Sequence, residues 1–556
     1  MAERLEARSY ARTNPFKGVN GCAAVVFVLA LGVYFNSLRN DFNFDDIAII
    51  KNNSLVQHLS NLPKLFVSNY WANTPYEKGV LLYRPLVMAS FALDYAVWGN
   101  NPFGFHLTNI LINAVNAVLL MVLLKYLFGE RVGLVGLGIS TLLFAFHPVH
   151  TEAINMVVGR TELLAALFGL LTFILCLQGR NRAAAVSFFL ALLSKEIAIT
   201  VPIMIFLHEA LSGRRVAKRR YLMFAGVAAV YLAIRFAVLR GFVSIHQTGI
   251  LDRQNIFQRT LTVVQVLGYY LKLLLVPYPL TPDYSDVALP DSVLAAWVLV
   301  PGALIAAMLW AAWKFRKNAR MVSFSLLWFL VTILPVSNIV SIGAFLGERF
   351  LYLPSVCVAL AAGSLFYYAA NRTLRRMFLT GCVVVAVLSA TRTFSRNGDW
   401  QDANTLWEKV LAHQPDNPRA NFHLGAKYEA EQDYTRAAAF YEKAIRFYPD
   451  HNWNPDSKTV ASVNESLSHI YYILSLRLYK ENKFPEAMAF GRKALENDNK
   501  NAPAYVVLGD IYAQQGDLKQ AADAYHAALR ADPEQFEAKE NLKRIESLGQ
   551  EFNQNH

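Results

Sequence analysis

Two adjacent carboxylates, Asp45 and Asp46, follow an uncharged run that covers residues 19–38. Neighbouring negative charges repel each other unless a cation or a proton is shared between them. The pair therefore indicates a functional site that has a basic group close by. The structural alternative is that the two residues only cap the start of a helix.

A second polar string, His147-Pro-Val-His150-Thr-Glu152, closes a later apolar run. Imidazole and carboxylate groups at short spacing can bind zinc. However, a proline follows the first histidine, and the sequence offers no further ligand. We therefore interpret the string as polar packing or substrate binding, and we assign no metal ligands, although a divalent metal stays possible as a cofactor.

Further ionisable residues lie at the ends of apolar runs, on the side of the chain that holds the carboxylate pair. Ionisable groups at bilayer depth are costly, so their convergence on one side indicates a polar cavity. Local alternatives exist, since Lys195 could neutralise Glu196, Glu348 could neutralise Arg349, and Arg235 could extend to the interface. The set consists of Arg84, Arg160, Lys195, Glu196, Arg235, Glu348 and Arg349.

Composition places these residues in a membrane protein. Of the 556 residues 54% are apolar, and the mean hydropathy is +0.27, whereas soluble domains are about 45–50% apolar. Residues 1–393 carry 34 basic and 17 acidic side chains, while residues 394–556 carry 19 and 24. A basic membrane part with an acidic tail does not indicate nucleic-acid binding, and the basic loops are expected in the cytoplasm.

Twelve apolar runs supply the elements that must position the polar residues. A membrane-spanning helix needs about 20 residues, and residues 39–102 form a polar outer segment after the first run, in which residues 85–98 are suited to the bilayer surface. The runs cover residues 19–38, 103–124, 132–146, 163–178, 183–194, 197–208, 221–239, 260–280, 292–313, 321–343, 350–370 and 377–391.

The distribution of basic residues decides how the ambiguous runs are read. Reading 183–211 as one helix would put two basic clusters on opposite sides, so we predict two short helices with Ser194-Lys195-Glu196 at their apex, facing outward. A crossing by 260–280 would put the basic stretch 314–320 outside. We therefore predict that 260–280 is re-entrant or interfacial, which gives about eleven spans and an outer tail.

The tail contains helical repeats. The small residues Ala403 and Ala437 are 34 residues apart, and so are Ala487 and Ala521, while 16 extra residues at about 449–465 lengthen the middle gap. The pattern Ala-x3-Leu-Gly-x2-Tyr occurs at 420–428 and again at 504–512. This periodicity is typical of the tetratricopeptide repeat, in which helix pairs stack into a solenoid. Residues 399–414 are predicted to form a lone helix that joins the array to the last span.

Seven motifs in order, together with this tail, resemble the transmembrane and tetratricopeptide-repeat O-mannosyltransferases of the C-type glycosyltransferase superfamily. The resemblance runs from about Asn36 to about Pro533. The tail departs from it, since eukaryotic members usually carry more than the three and a half repeats found here, and a bacterial relative is therefore expected. The motifs are FDD (44–46), YRPL (83–86), FHLTN (105–109), HPVHTEAINMVVGRTELLA (147–165), SKE (194–196), ERFLYLP (348–354) and RNGDW (396–400).

The resemblance implies an all-α fold. A polytopic membrane helix bundle of the C-type glycosyltransferase kind would occupy residues 1–393, and an extracytoplasmic tetratricopeptide-repeat α-solenoid would occupy 394–556. It also implies a mannose or similar hexose donor linked to polyprenyl phosphate, and an extracytoplasmic protein acceptor that is modified on Ser or Thr and presented by the repeat groove. Asp45, or Asp46 as second choice, would be the general base.

The other candidates would bind substrate. Arg160, Lys195, Arg235 and Arg349 would hold the phosphate, because cationic side chains suit it, and Glu152 would orient hydroxyls. The expected location is the bacterial cytoplasmic membrane, or the endoplasmic reticulum membrane in a eukaryote. Two other functions stay open: a membrane scaffold for envelope assembly that is not an enzyme, and a flippase or polymerase of lipid-linked glycans.

The charge distribution generates a prediction about topology. Reporter fusions at the C-terminus and at residue 317 should report opposite sides of the membrane, because the positive-inside rule fixes the direction of the last span. A cytoplasmic C-terminus would contradict both this arrangement and the outward site.

Overall fold

The computed structural model describes residues 18–77, 80–214, 216–241, 254–339, 345–447 and 457–554, and within these ranges every regular element is helical. The chain divides into two compact units, one formed by residues 1–284 and 288–406, the other by residues 285–287 and 407–556. The helical character of every regular element in the described ranges confirms the prediction of an all-α fold.

The first unit contains fourteen helices of six or more residues within the described ranges. They are α1 (Asn20–Gly32), α2 (Pro85–Trp98), α3 (Pro102–Phe128), α4 (Gly133–Ala145), α5 (His150–Asn155), α6 (Arg160–Leu177), α7 (Asn181–Ser194), α8 (Val201–Leu211), α9 (Lys218–Leu239), α10 (Ile256–Leu275), α11 (Ala296–Phe315), α12 (Arg320–Ile333), α13 (Val356–Tyr368) and α14 (Arg372–Asn397). A further helix, α15 (Ala403–His413), leads out of this unit.

Six of the described helical segments are long and apolar enough to cross a membrane, so the chain is a membrane protein. Three of them are 61–72% buried against the rest of the protein, whereas the other three are only 17% buried and expose apolar surface that suits lipid. The buried three are Pro102–Arg131, Val157–Leu177 and Glu348–Tyr368, and the exposed three are Lys218–Leu239, Ala296–Phe315 and Arg372–Trp400. Arg160, Glu348 and Arg349 lie on the buried set, whereas Arg235 lies on one of the exposed segments.

Shorter apolar helices complete the bundle, and the number of spans stays a prediction. The two short helices predicted around Lys195 are present as α7 and α8, and Lys195 between them is extended, with φ −162° and ψ 145°. The 260–280 run is represented by α10, which buries one face and is not among the six candidate spans.

The outer segment folds back onto the membrane helices instead of projecting from them. Phe42, Ile49 and Tyr70 are buried in one apolar cluster with Phe105 of α3 and with Trp400. The rings of Phe42 and Phe105 meet edge to face, with 5.2 Å between their centroids. Apolar burial therefore places the Asp45–Asp46 pair against the bundle.

The second unit consists of stacked helix pairs. They are α16 (Pro418–Ala430) with α17 (Tyr434–Phe447), α18 (Ser457–Lys480) with α19 (Phe484–Asn497), and α20 (Ala502–Gln514) with α21 (Leu518–Ala531), followed by α22 (Phe536–Gln554). Ala437, Ala487 and Ala521 are fully buried, as the repeat pattern predicts, whereas Ala403 is only partly buried. Residues 448–456 of the extra stretch lie outside the described residues.

The repeated glycines, Gly425 and Gly509, each pack against a tyrosine on the second helix of the pair, and this tyrosine lies outside the sequence pattern. A Cβ added to Gly425 would lie 2.7 Å from the ring of Tyr441, and one added to Gly509 would lie 2.5 Å from the ring of Tyr525. Each tyrosine hydroxyl also donates to a carboxylate on the first helix of its pair, at 2.7 and 2.6 Å. The glycine that recurs in the sequence pattern therefore makes the same contact with a tyrosine ring in both repeats.

This contact generates a prediction about the array. Gly425→Ala and Gly509→Ala should each destabilise their helix pair by about 1–3 kcal/mol, because the ring cannot stay in place beside a methyl group. Hydrogen exchange of the amides in 418–447 and 502–531 of the full chain measures this. The control is Gly381→Ala, a helical position with no atom near the added methyl. Unchanged exchange in both variants would contradict the packing argument.

Candidate active site

The carboxylate of Asp46 joins the outer segment to the start of α6. It is fully buried. One oxygen accepts from the backbone N–H of Asn43 and of Val157, each at 3.1 Å, and the other accepts from the N–H of Val158 at 2.8 Å. Burial raises the pKa of Asp46 to about 7, against the lowering effect of the three N–H donors. A pKa near 7 would suit a general base. However, both oxygens of Asp46 already accept hydrogen bonds from the backbone, and a general base must first have an oxygen within reach of the substrate proton.

Asp45, the adjacent residue, is only partly buried. Its charge interacts with the guanidinium of Arg349 and with the buried hydroxyl of Tyr70. The two carboxylates therefore differ in what they can do, since Asp46 binds backbone N–H groups, whereas Asp45 is partly exposed and interacts electrostatically with a cation.

A chain of buried asparagines fixes the segment that precedes this pair. The side-chain N–H of Asn40 donates to Asn155 Oδ1 at 3.1 Å, and that of Asn155 donates to Asn397 Oδ1 at 2.9 Å. The amide of Asn397 in turn donates to Asn36 Oδ1 at 2.8 Å. The network thus ties the end of the first apolar run to α5 and to the end of α14.

Each basic candidate near Asp45 is paired with a carboxylate that is distant in sequence. Arg349 pairs with Glu152, and its backbone N–H also donates to Glu152 Oε2 at 2.8 Å. The alternative local pairs, Lys195–Glu196 and Glu348–Arg349, are not among the ion pairs of the described residues, and these four side chains pair at long range instead. The other long-range pairs are Lys195 with Glu162, Arg84 with Glu196 at 3.2 Å, and Arg396 with Glu348 at 2.9 Å.

These pairs form one electrostatic group. Arg84 lies over the ring of Tyr70 at 5.3 Å, and Lys195 lies over the ring of Phe350 at 4.7 Å. Burial lowers the pKa of Lys195 to about 8, although Glu162 opposes this. Arg349 is the most accessible of the three cations, with 26% of its side chain exposed.

Arg160 is placed differently from the other cations. It is completely buried. Its guanidinium donates to Asn109 Oδ1 at 2.7 Å and to the carbonyl of Phe105 at 3.0 Å, bonds both oxygens of Ser90, and forms an ion pair with Asp94 at 2.6 Å. Its donors are thus used to hold α2, α3 and α6 together.

The two histidines also make contacts within the protein. Nε2 of His147 lies 3.0 Å from the carbonyl of Leu274, and Nε2 of His150 lies 2.7 Å from the hydroxyl of Ser355. Within the described residues, no three His, Cys, Asp or Glu side chains come together in a group that could hold a metal. Arg235 donates to the carbonyl of Leu81 at 3.0 Å.

Sequence reasoning missed four residues of this region. Tyr70 lies in the outer segment with no motif around it, and Arg396 and Asn155 occur inside motifs but were not singled out. Glu162 lies within the motif that ends at Ala165, in a helix whose next turns are wholly apolar. A carboxylate at the start of such a helix is itself a signal, because its burial requires a partner.

The role of Asp46 generates a prediction. Asp46→Asn should lower the stability of the protein by about 1–3 kcal/mol, because an amide cannot accept from all three N–H groups and turns a donor towards one of them. Asp45→Asn, one residue away, should leave the melting temperature unchanged. Thermal unfolding of the two purified variants in detergent compares them, and equal melting temperatures would contradict the structural role of Asp46.

Two stretches of the chain, residues 391–452 and 478–544, match families described as Tetratricopeptide repeat. A solved structure, "Crystal structure of APC/C hetero-tetramer Cut9-Hcn1", covers 83% of this chain and 93% of its own, at 14% identity and a TM-score of 0.21, which is too low to indicate a shared fold.

The matches to known proteins extend well beyond the two tetratricopeptide stretches. "Protein O-mannosyl-transferase F38B6.6" of Caenorhabditis elegans is 28% identical over 77% of this chain, and the human "Protein O-mannosyl-transferase TMTC3" is 25% identical over 90%. The human "Protein O-mannosyl-transferase TMTC4" is 28% identical over 75%. This chain spans 63–65% of the length of these relatives. It is therefore a homologue of proteins named as O-mannosyl-transferases, which makes them glycosyltransferases, and its tail carries tetratricopeptide repeats.

Proposed function

We propose that this protein is a membrane glycosyltransferase that moves mannose or a similar hexose from a polyprenyl-phosphate-linked donor to Ser or Thr hydroxyls of an extracytoplasmic protein. The main support is that Asp45, a partly exposed candidate base, interacts electrostatically with Arg349, a candidate phosphate ligand. The similarity to O-mannosyl-transferases supports the same reaction class.

In this proposal Asp45 is the general base. The acceptor hydroxyl loses its proton to Asp45 as its oxygen attacks the anomeric carbon, and the bond from that carbon to the phosphate oxygen breaks. Asp46 does not compete for this role, since its two oxygens hold Asn43, Val157 and Val158. Asp46 instead fixes the backbone from which Asp45 projects.

The phosphate of the donor is assigned to Arg349, with Arg235 and Arg84 as further cations. Arg349 is held by Glu152 through one nitrogen and still exposes a quarter of its side chain. A guanidinium has five N–H donors, so pairing with one carboxylate leaves others for a phosphate. Arg160 is left out of this group because its donors are taken by protein acceptors.

The repeat unit is assigned to the protein acceptor. Stacked helix pairs form extended concave surfaces that bind other chains, and holding the acceptor on the same molecule raises its local concentration near the site. The lipid part of the donor is assigned to the surrounding bilayer, from which it would enter laterally.

Sugar transfer by the purified protein tests the proposal. The protein in detergent is incubated with labelled polyprenyl-phosphate hexoses and a secreted acceptor protein, and the transferred mass is read by mass spectrometry. Asp45→Asn should reduce transfer by about 10²–10⁴-fold while donor binding persists, because the amide keeps the shape of the side chain but cannot accept a proton.

The matched control is Asp41→Asn, an exposed carboxylate in the same segment. Full activity of Asp45→Asn would exclude Asp45 as the base. If the wild-type protein transferred no hexose from any such donor, the enzyme proposal itself would fail, and a scaffold or a flippase would become the better interpretation.

A further inference from the structure

Glu162 interacts electrostatically with three cations of the candidate site, Lys195, Arg84 and Arg349. It forms an ion pair with Lys195 through Oε1, and its charge also acts on Arg84 and Arg349. Glu162 is the third residue of α6, two positions after Arg160. Two of these cations, Arg84 and Arg349, belong to the proposed phosphate site.

The second oxygen of Glu162 is buried and unused. Only 1% of the side chain is exposed, and Oε2 has no hydrogen-bond partner among the residues that the structure describes. A buried carboxylate oxygen without a donor is costly, and buried polar atoms in native proteins normally have partners. A bound molecule that supplies an O–H or N–H group would remove this cost.

A second unpartnered polar atom belongs to the same cluster. The hydroxyl of Tyr70 is buried and makes no hydrogen bond within the described residues. Tyr70 interacts electrostatically with Arg84 and Arg349, as Glu162 does, and also with Asp45. An unpaired acceptor and an unpaired hydroxyl thus share the same two cationic neighbours, beside the proposed base.

We propose that Oε2 of Glu162 accepts a hydrogen bond from one hydroxyl of the donor hexose and so contributes to the choice of sugar. This inference rests on the proposed function. A carboxylate is the strongest common acceptor for a sugar hydroxyl. Lys195 pairs with Oε1 and fixes the orientation of the carboxylate. Only Oε2 is then left to accept a hydrogen bond from a sugar hydroxyl.

The competing explanation is that Glu162 only neutralises Lys195. The two explanations differ in how the enzyme responds to the loss of single sugar hydroxyls. If Glu162 binds a hydroxyl, the effect of removing that hydroxyl from the donor depends on whether the carboxylate is present. If Glu162 only balances charge, its loss affects all donors equally.

The experiment measures kcat/KM of the full-length protein with polyprenyl-phosphate mannose and with its 2-, 3-, 4- and 6-deoxy analogues. For the wild-type protein, one of the four deoxy donors should react about 10- to 100-fold more slowly because a hydrogen bond to a charged group is lost. For Glu162→Gln, kcat/KM with the same deoxy donor should be less than about 3-fold lower than kcat/KM with the mannose donor. The reason is that the carboxylate that would bind the missing hydroxyl is already absent.

Two controls accompany this series. Glu209→Gln removes another buried carboxylate of the first unit, the partner of Arg220, and should keep the wild-type ranking of donors. Glu162→Asp keeps the negative charge but withdraws the oxygens by one methylene, so it serves the same comparison if Glu162→Gln does not fold, and the same loss of discrimination is expected.

The outcomes separate the inference from the proposed function. Wild-type transfer with the same deoxy sensitivity in Glu162→Gln and in the wild-type protein would overturn the role of Glu162 and leave the enzyme proposal standing. Recovery of wild-type donor ranking in a Glu162→Gln, Lys195→Met double variant would also overturn it, in favour of charge balance. An absence of transfer by the wild-type protein would overturn both.

Discussion

The candidate site depends on three hydrogen bonds to one buried carboxylate. Asp46 accepts from Asn43 in the outer segment and from Val157 and Val158 at the turn before α6. The two bonds from Val157 and Val158 join parts of the chain that are 111 and 112 residues apart. The same turn leads directly into Arg160 and Glu162, so the carboxylate that holds the backbone of Asp45 also fixes the start of the helix that carries Glu162.

Charge balance is the second constraint on the site. Buried cations are stable only when they are paired and hydrogen-bonded, and Arg349, Lys195 and Arg84 each have a carboxylate partner. The partners come from α5, α6 and the turn after α7. The proposed donor, which carries one negative charge, would therefore meet cations that are already paired, and in this proposal its specificity would come from polar atoms without partners.

The sequence predicts the architecture better than it predicts the site. Long apolar runs indicate α3, α6, α9, α11, α13 and α14. The alanines spaced 34 residues apart and the recurring Leu-Gly pattern indicate the stacking of the tail, because burial and periodicity are properties of local sequence. The break at Lys195 was also predictable from the positions of basic residues. The pairings were not. Lys195 and Glu196 are neighbours in sequence, yet each pairs with a residue 33 or 112 positions away, since tertiary packing decides which charges meet. For the same reason, the sequence could rank Asp45 and Asp46 only by preference, whereas the structure distinguishes them by burial and by the three N–H groups that Asp46 binds.

The asparagine network has a consequence for the biosynthesis of the protein. Asn40 donates to the carbonyl of Asn397, and Asn43 donates to the carbonyl of Trp400, so both contacts span 357 residues. Contacts between such distant parts of a chain form late, after the intervening helices are in place. A nascent chain that has inserted its early helices therefore still lacks the support beneath Asp45, which is completed only after residue 400 has left the ribosome.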